Sequence, residues 1–263
     1  MHPFVDLMRT YCIDYTNSHD LDVCDQIMDP SYVVEICGFE LARDEAYKPS
    51  VEQVYTRFPA LGLVVHELVT NGERLAMRFS EHAATTDGRL ACWAGIGLYE
   101  WNGTTLTRCR VEQDFVSQAR QLETGIPDRL EPPHLDPWTT TDATPPDVEA
   151  EVVARRWLGE GNLGAAPTGR IDETTLDAYQ PFLEVSEVRV DDVFSAGDRV
   201  AFRAHLDGAA TGAAADPETQ GSPVTLTVVG LLAIESGQVA DVRVVTDRRT
   251  ALRAMVGRPR GGG

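Results

Sequence analysis

The adjacent residues Glu81 and His82 offer a carboxylate and an imidazole, two side-chain types that commonly transfer protons in enzymes. They end a run, 74–83, in which apolar and polar residues alternate, as in a strand with one buried face. Met77, Phe79 and Glu81 share the apolar face, so burial there would raise the pKa of the Glu81 carboxyl and suit it to proton transfer. His82 points to the opposite face unless a bulge turns it inward. A solvated carboxylate at the end of a strand is the alternative interpretation of Glu81.

Asp114 is a further candidate acid, but its surroundings favour a structural role. It stands where a predicted strand gives way to a helix, the position at which an aspartate caps the first-turn amides. Asp247 occupies the same position in a repeated segment, described below, where the other candidate residues have no counterpart. An aspartate that recurs without them is more simply explained as an N-cap than as a catalytic acid.

Aromatic residues and glycines alternate on one face of the predicted strand 90–101, in the order Trp93, Gly95, Gly97 and Tyr99. The glycines either leave open space beside the two rings, as a flat apolar ligand would need, or allow the sheet to curve strongly. We expect both rings to line a substrate pocket, together with Met77 and Phe79.

The charge of the chain argues against several classes of partner. Asp and Glu total 41 against 23 Lys and Arg, a net charge of −18 over 263 residues. Such a chain would be repelled by nucleic acid and by anionic membrane surfaces. The sequence shows neither a signal-peptide pattern nor a long apolar segment, so we expect a cytoplasmic protein. The five cysteines lack metal-site spacing and no phosphate-binding loop is present, so we expect no metal and no cofactor.

Local patterns predict a helix-first unit that ends in an antiparallel meander. Apolar residues from Phe4 to Tyr15 recur at the spacing of one helix face. Ser50 and Gln53 form a capping box for a second helix, which Pro59 closes, and a short extended run lies between the two helices. Strands are predicted at 61–70, 74–83, 90–101 and 106–115, separated by Asn-Gly and Asp-Gly turns.

The pattern then recurs in a second, shorter copy in which the second helix is missing or degenerate. Residues 72–78 match 197–203 at four of seven positions, and 94–114 align without a gap on 227–247. We therefore predict an α+β protein of two units. The predicted parts are a first unit at 1–123, a Pro-rich linker or strap at 124–147, a second unit at 148–256 and a flexible tail at 257–263.

Three short motifs carry a resemblance to a known family. They are the tripeptide Ala42-Arg43-Asp44, the tripeptide Gly-Glu-Arg at the start of the strand predicted at 74–83, and Asp114 seven residues before Gln121-Leu122. They resemble the nuclear transport factor 2-like superfamily, and within it the SnoaL-like polyketide cyclases, limonene-epoxide hydrolases and ketosteroid isomerases. The resemblance implies that each unit is a cone of helices packed on a curved antiparallel sheet around an apolar pocket. It further implies that the two units pair as a pseudo-dimer within one chain, and it is compatible with a further homodimer.

The resemblance also implies roles for individual residues. The base of the isomerases falls on or beside Ile36, so Glu35 is the residue that could replace it. Tyr15 lies on the helix face under the cone, where isomerase tyrosines donate to a developing enolate, and Tyr11 shares that face. The second carboxylate of the epoxide hydrolases falls nearest Val111, which we assign to the substrate-binding wall. Enzymes of these families mostly work without a cofactor.

Together these observations favour a cofactor-independent enzyme that acts on an apolar small molecule of bacterial secondary or lipid metabolism. The reaction would be isomerisation, cyclisation, dehydration or epoxide hydrolysis. Glu81 or Glu35 would move the proton, and Tyr15 or His82 would polarise the substrate oxygen. The alternative is a non-catalytic ligand-binding or assembly module of the same fold, with a pocket filled by its own side chains.

Overall fold

Two six-stranded sheets form the body of the protein. The computed structural model describes residues 1–211 and 219–256, and the predicted tail at 257–263 lies outside the described residues. The first sheet, in the spatial order β2-β1-β6-β5-β4-β3, contains β1 (Met28–Ile36), β2 (Phe39–Ala42), β3 (Gly62–Thr70), β4 (Arg74–Ala84), β5 (Leu90–Trp101) and β6 (Leu106–Gln113). The second, in the order β8-β7-β12-β11-β10-β9, contains β7 (Thr168–Ile171), β8 (Thr174–Thr175), β9 (Leu183–Ala196), β10 (Arg199–Ala210), β11 (Pro223–Glu235) and β12 (Gln238–Thr246).

Helices precede each sheet, and the predicted α+β class is confirmed. The helices are α1 (Pro3–Thr10), α2 (Cys24–Ile27), α3 (Lys48–Arg57), α4 (Phe115–Thr124), α5 (Pro137–Thr140), α6 (Val148–Gly159) and α7 (Arg248–Val256). A π-helical segment, Tyr11–Asn17, extends α1, and another, Arg43–Tyr47, leads into α3. Short 3₁₀ turns occupy Leu21–Val23 and Leu163–Ala165. None of the helices in the described part of the chain is long and apolar enough to cross a membrane.

Two details of the predicted units differ in the structure. Each sheet is mixed, because β1 and β7 run parallel to β6 and β12, although the meanders themselves are antiparallel as predicted. Helix α3 begins at Lys48, so Ser50 and Gln53 lie inside it and do not cap it. Pro49 occupies its first turn, where the missing N–H of proline leaves no helix hydrogen bond unmade.

The sequence repeat is reproduced in the strand register. Arg74 pairs with Glu100 across β4 and β5, and Arg199, its counterpart, pairs with Ala233 across β10 and β11. The two aspartates that end the last strands are also equivalent. The Asp114 amide donates to the carbonyl oxygen of Ala94 at 2.9 Å, and the Asp247 amide donates to that of Thr227 at 2.8 Å. The two sheets are therefore tandem copies of one unit.

The two sheets pack against each other on the sides that face away from their helices. Buried apolar side chains from both sheets form one cluster there, comprising Val69, Ala76, Ala94, Ile96, Leu98, Phe194, Ala196, Ala201, Val229, Leu231 and Val245. Ion pairs surround this cluster. Arg74 binds Asp192 at 2.5 Å, and Arg199 binds Glu67 at 2.9 Å. In the alignment of the two units, Arg74 corresponds to Arg199 and Glu67 corresponds to Asp192. The two ion pairs are therefore equivalent, as if related by a two-fold axis.

The Pro-rich segment at 124–147 lies along the first unit as a strap. The amides of His134 and Thr144 donate to the carbonyl oxygens of Val65 and Thr70 on the edge strand β3, at 3.1 and 3.0 Å. Trp138 packs against the core of the first unit. These contacts satisfy backbone groups of an otherwise open sheet edge.

Candidate functional site

A cavity of about 560 Å³ lies in the first unit, between its sheet and its helices. This volume is sufficient for a small organic ligand. The wall includes Tyr11 and Tyr15 from the first helical segment, Val51, Val54 and Tyr55 from α3, Phe79 and Glu81 from β4, Trp93 and Tyr99 from β5, and Val111 and Gln113 from β6.

Helix α3 closes this cavity without filling it. None of its residues is fully buried, and Val54 is 38% exposed although it lines the cavity. Val51 and Tyr55 pack partly against the core and also line the cavity. The apolar face of α3 is therefore turned to a space that a ligand can occupy.

Glu81 is the acidic residue of the cavity wall. It lies on β4 between Leu63 of β3 and Trp93 of β5, and its side chain is half-buried. Burial raises the pKa of the Glu81 carboxyl to about 7, and a hydrogen bond from Gln113 opposes the rise. At neutral pH both protonation states are populated, which is the condition that favours a general acid or base.

Gln113 holds the Glu81 carboxylate through an oriented amide. The indole Nε1–H of Trp93 donates to Oε1 of Gln113 at 2.7 Å, so the amide nitrogen must point away from the indole. That nitrogen donates to Oε1 of Glu81 at 3.4 Å. Gln113 was not selected from the sequence, although Gln113 and Val111 share one face of the last predicted strand of the first unit.

Replacing Gln113 with leucine should raise the pKa of Glu81 further, by about half a unit to one unit, because the donor that stabilises the carboxylate is lost. The measurement is a titration of ¹³C-labelled glutamate carboxyl resonances, with the Glu81 signal identified by its absence in Glu81→Gln. Gln53→Leu is the matched control, because Gln53 also lines the cavity but makes no described hydrogen bond to Glu81. An unchanged or lowered pKa in Gln113→Leu would contradict this role.

Three tyrosine hydroxyl groups meet at the cavity. Tyr15 Oη donates to Tyr47 Oη at 2.9 Å, and the hydroxyl groups of Tyr11 and Tyr47 are 3.3 Å apart. Burial raises the pKa of all three phenols, so they remain protonated. The three hydroxyl groups carry three protons, and two of these form the hydrogen bonds within the cluster. One proton is left to donate to a ligand. Tyr47 was not selected from the sequence.

The motif Ala42-Arg43-Asp44 explains how Tyr47 reaches the cavity. The Arg43 side chain is buried and donates to the carbonyl oxygen of Met28 at 2.9 Å and to the Asp44 carboxylate at 2.8 Å. These bonds fix the π-helical segment that begins at Arg43 and ends at Tyr47. The motif therefore has a positioning role in this chain.

Glu35 lies outside the cavity, which corrects its expected role as a base. Its neighbours Val34 and Ile36 line the cavity, and the alternation of β1 turns Glu35 to the other face. There its carboxylate pairs with the guanidinium groups of Arg110, at 3.2 Å, and Arg203, at 2.9 Å.

His82 and Asp114 also lie away from the cavity lining, which corrects their assignment as catalytic residues. His82 is exposed on the opposite face of β4 to Glu81, with its Nε2 2.8 Å from Ser80 Oγ. Asp114 is the N-cap of α4, where it accepts from the Ser117 amide at 3.1 Å and pairs with Arg248 at 2.6 Å. The preferred sequence interpretation of Asp114 as a cap agrees with this geometry.

Of the predicted substrate-binding residues, Met77 alone is absent from the cavity wall. It is fully buried, and its Sδ atom lies 3.5 Å from the thiol sulfur of Cys12.

Two glycines of β5 lie directly under aromatic rings, where a larger residue would not fit. A Cβ on Gly95 would lie 2.3 Å from Phe79 Cζ, and one on Gly97 would lie 2.8 Å from the ring of Tyr99. The space directly above these two glycines is thus occupied by the rings of Phe79 and Tyr99.

A possible metal-ligand group in the described residues comprises Cys37, Glu112 and Asp247, whose ligand atoms lie within 4.8 Å of one another. Burial raises the pKa of the Cys37 thiol, and it raises that of the Glu112 carboxyl to about 8. Without a metal ion both groups therefore keep their protons near neutral pH, and a metal would have to displace these protons in order to bind. We assign no metal to this group.

Residues 182–255 match the family model described as SnoaL-like polyketide cyclase. The match falls in the second unit, where the sequence predicted the weaker resemblance. No curated protein matches the chain significantly.

Solved structures give further comparisons. A SnoaL-like polyketide cyclase from Agrobacterium tumefaciens is 20% identical, with a TM-score of 0.39 over 45% of this chain and 97% of that chain. IdmH from Streptomyces antibioticus is 18% identical, with a TM-score of 0.42 over 47% and 99% of the respective chains. TerC, crystallised with polyporic acid, is 15% identical, with a TM-score of 0.41 over 46% and 98%. Residues 182–255 thus resemble SnoaL-like polyketide cyclases, and the chain is built of two tandem six-stranded α+β units.

Proposed function

We propose that the first unit, residues 1–123, is a cofactor-independent enzyme that moves a proton on a small apolar molecule, with Glu81 as the acid or base. The observation that carries the proposal is a carboxyl with a pKa of about 7 on the wall of an apolar cavity. The oriented amide of Gln113 supports it, because a catalytic group needs a fixed position.

The chemistry follows from the two polar parts of the cavity. Glu81 takes a proton from a carbon next to a carbonyl group, or from a water molecule that opens an epoxide. The free proton of the cluster of Tyr11, Tyr15 and Tyr47 is donated to the oxygen on which negative charge develops. Isomerisation, cyclisation, dehydration and epoxide hydrolysis all fit this pair of roles.

The second unit, residues 148–256, is on this proposal a fixed partner that makes the chain a pseudo-dimer, joined by the strap at 124–147. The reciprocal pairs Arg74 with Asp192 and Arg199 with Glu67 support it. Its own interior contains Phe202, Leu206 and Leu232, all fully buried or nearly so, in one apolar core.

The proposal is tested by turnover of four probes: a β,γ-unsaturated ketone, a terpene epoxide, a β-hydroxy ketone and an aromatic keto ester. We expect turnover of at least one of them, and its loss in Glu81→Gln with binding retained. Binding of the probes without any turnover would instead favour a ligand-binding module. The apolar character of the cavity is compatible with that second function.

A further inference from the structure

The mouth of the cavity has the opposite charge to the rest of the protein. Its charged wall residues are three arginines, Arg57, Arg249 and Arg253, against one glutamate, Glu81. The chain as a whole carries 41 acidic and 23 basic residues, a net charge of −18. All three arginines are exposed, which places them at the opening of the cavity and not in its depth.

Two of these arginines belong to the second unit. Arg249 and Arg253 lie four residues apart on α7, and therefore on one face of that helix. Contacts with the first unit hold α7 in place. Thr250 Oγ1 donates to the carbonyl oxygen of Cys37 at 3.0 Å, and Arg248 pairs with Asp114 at 2.6 Å. The second unit thus completes the entrance to a cavity in the first.

The arginines of the mouth differ from those between the units. Arg74, Arg78, Arg110, Arg199 and Arg203 each bind at least one carboxylate. Within 1–211 and 219–256 no carboxylate pairs with an arginine of the mouth. Arg57 lies over the ring of Phe58 at 4.8 Å and Arg249 lies over that of Phe115 at 5.5 Å. Their guanidinium donors are left available to an anion.

We propose that the ligand of this cavity is a small apolar molecule that carries an anionic group, and that Arg249 and Arg253, with Arg57, bind this group at the mouth. The inference rests on the proposed function, since it names the class of substrate for the same cavity. The apolar part enters beside Phe79 and Trp93, and the anion stays at the opening. Guanidinium groups bind carboxylate and phosphate alike through paired N–H donors. On this proposal the second unit determines which substrates enter.

The test uses two fluorescent probes that differ by one charged group. The first is 1-anilinonaphthalene-8-sulfonate, and the second is N-phenyl-1-naphthylamine, which lacks the sulfonate. In the double variant Arg249→Gln, Arg253→Gln of the full chain, we expect affinity for the sulfonate to fall about 5–10-fold, in keeping with two exposed ion pairs. Affinity for the neutral probe should stay within about 2-fold. Competition by 1-naphthoate and by 1-naphthyl phosphate then shows which anion is preferred.

Arg155→Gln, Arg156→Gln is the matched control, because it removes two exposed arginines of the second unit that do not line the cavity. We expect it to leave both affinities unchanged. If both probes bind and neither is affected by the α7 variant, the anion site is wrong while the proposed enzyme stands. If neither probe binds the wild-type chain, the cavity is not a ligand site, and both proposals are overturned.

Discussion

Replacing Glu81 with glutamine should slow proton transfer to a bound ketone by about 10²–10⁴-fold, the usual contribution of a general acid or base. Glutamine keeps the shape of the side chain and can still accept the hydrogen bond from Gln113, but it cannot take up a proton. The measurement is deuterium incorporation from D₂O into the α-carbon of 1-tetralone, followed by mass spectrometry. This exchange reports proton abstraction even if 1-tetralone is not the natural substrate.

The pH dependence of this exchange gives a second check on Glu81. The carboxylate is the active form of a base, so the wild-type rate should rise with pH through about 7, the pKa of Glu81, and then level off. The rate in Glu81→Gln should show no such step. Glu112→Gln is the matched control, because Glu112 is also a buried glutamate with a raised pKa but does not line the cavity. Equal rates in wild type and Glu81→Gln would remove Glu81 from the mechanism.

Strands β4 and β5 could be predicted almost to the residue because their signals are local. The strand predicted at 90–101 is observed as Leu90–Trp101, and that predicted at 74–83 ends one residue later, at Ala84. Alternation and Asn-Gly or Asp-Gly turns lie within the segments they define. The position of Glu81 on the cavity side of β4 follows from the same alternation.

The rest of the site depends on contacts between distant segments. Tyr47 and Tyr15 are 32 residues apart in the sequence, and Tyr47 ends the segment that the Arg43 hydrogen bonds fix before α3. Arg249 reaches the cavity from a helix that follows the last strand of the other unit. For Glu35 a local signal existed, since alternation with Val34 and Ile36 already turned it to the opposite face. Glu35 was nevertheless predicted as a base, because it stands next to the position at which the base of the isomerases falls.

Glu112→Gln should make the protein more stable than wild type at pH 8 and leave it unchanged near pH 4. The Glu112 side chain is 1% exposed at the contact between the units. Burial and the nearby negative charge of Asp247 raise the pKa of its carboxyl to about 8, well above the ordinary value of 4.5 for a glutamate. The Cys37 amide, 3.3 Å from the carboxylate, opposes this rise only in part.

The sign of the effect follows from the protons bound in each state. Between pH 4.5 and about 8 the folded protein keeps the Glu112 proton while the unfolded chain releases it. Raising the pH through this window therefore lowers the free energy of unfolding, by up to about 1.4 kcal/mol per pH unit. Glutamine has no proton to lose. The difference between variant and wild type should grow to the order of 4 kcal/mol by pH 8.

Urea unfolding of both proteins at several pH values between 4 and 8 measures this difference, and the titrating groups that do not interact with Glu112 cancel because the two chains share them. Glutamine fits the site, because the equivalent position in the second unit is Val245, a buried residue without charge. Glu73→Gln, at an exposed position, should follow the wild-type curve. Parallel curves for Glu112→Gln and wild type would mean that Glu112 is ionised in the folded protein, with Arg203 as the nearby cation that stabilises its charge.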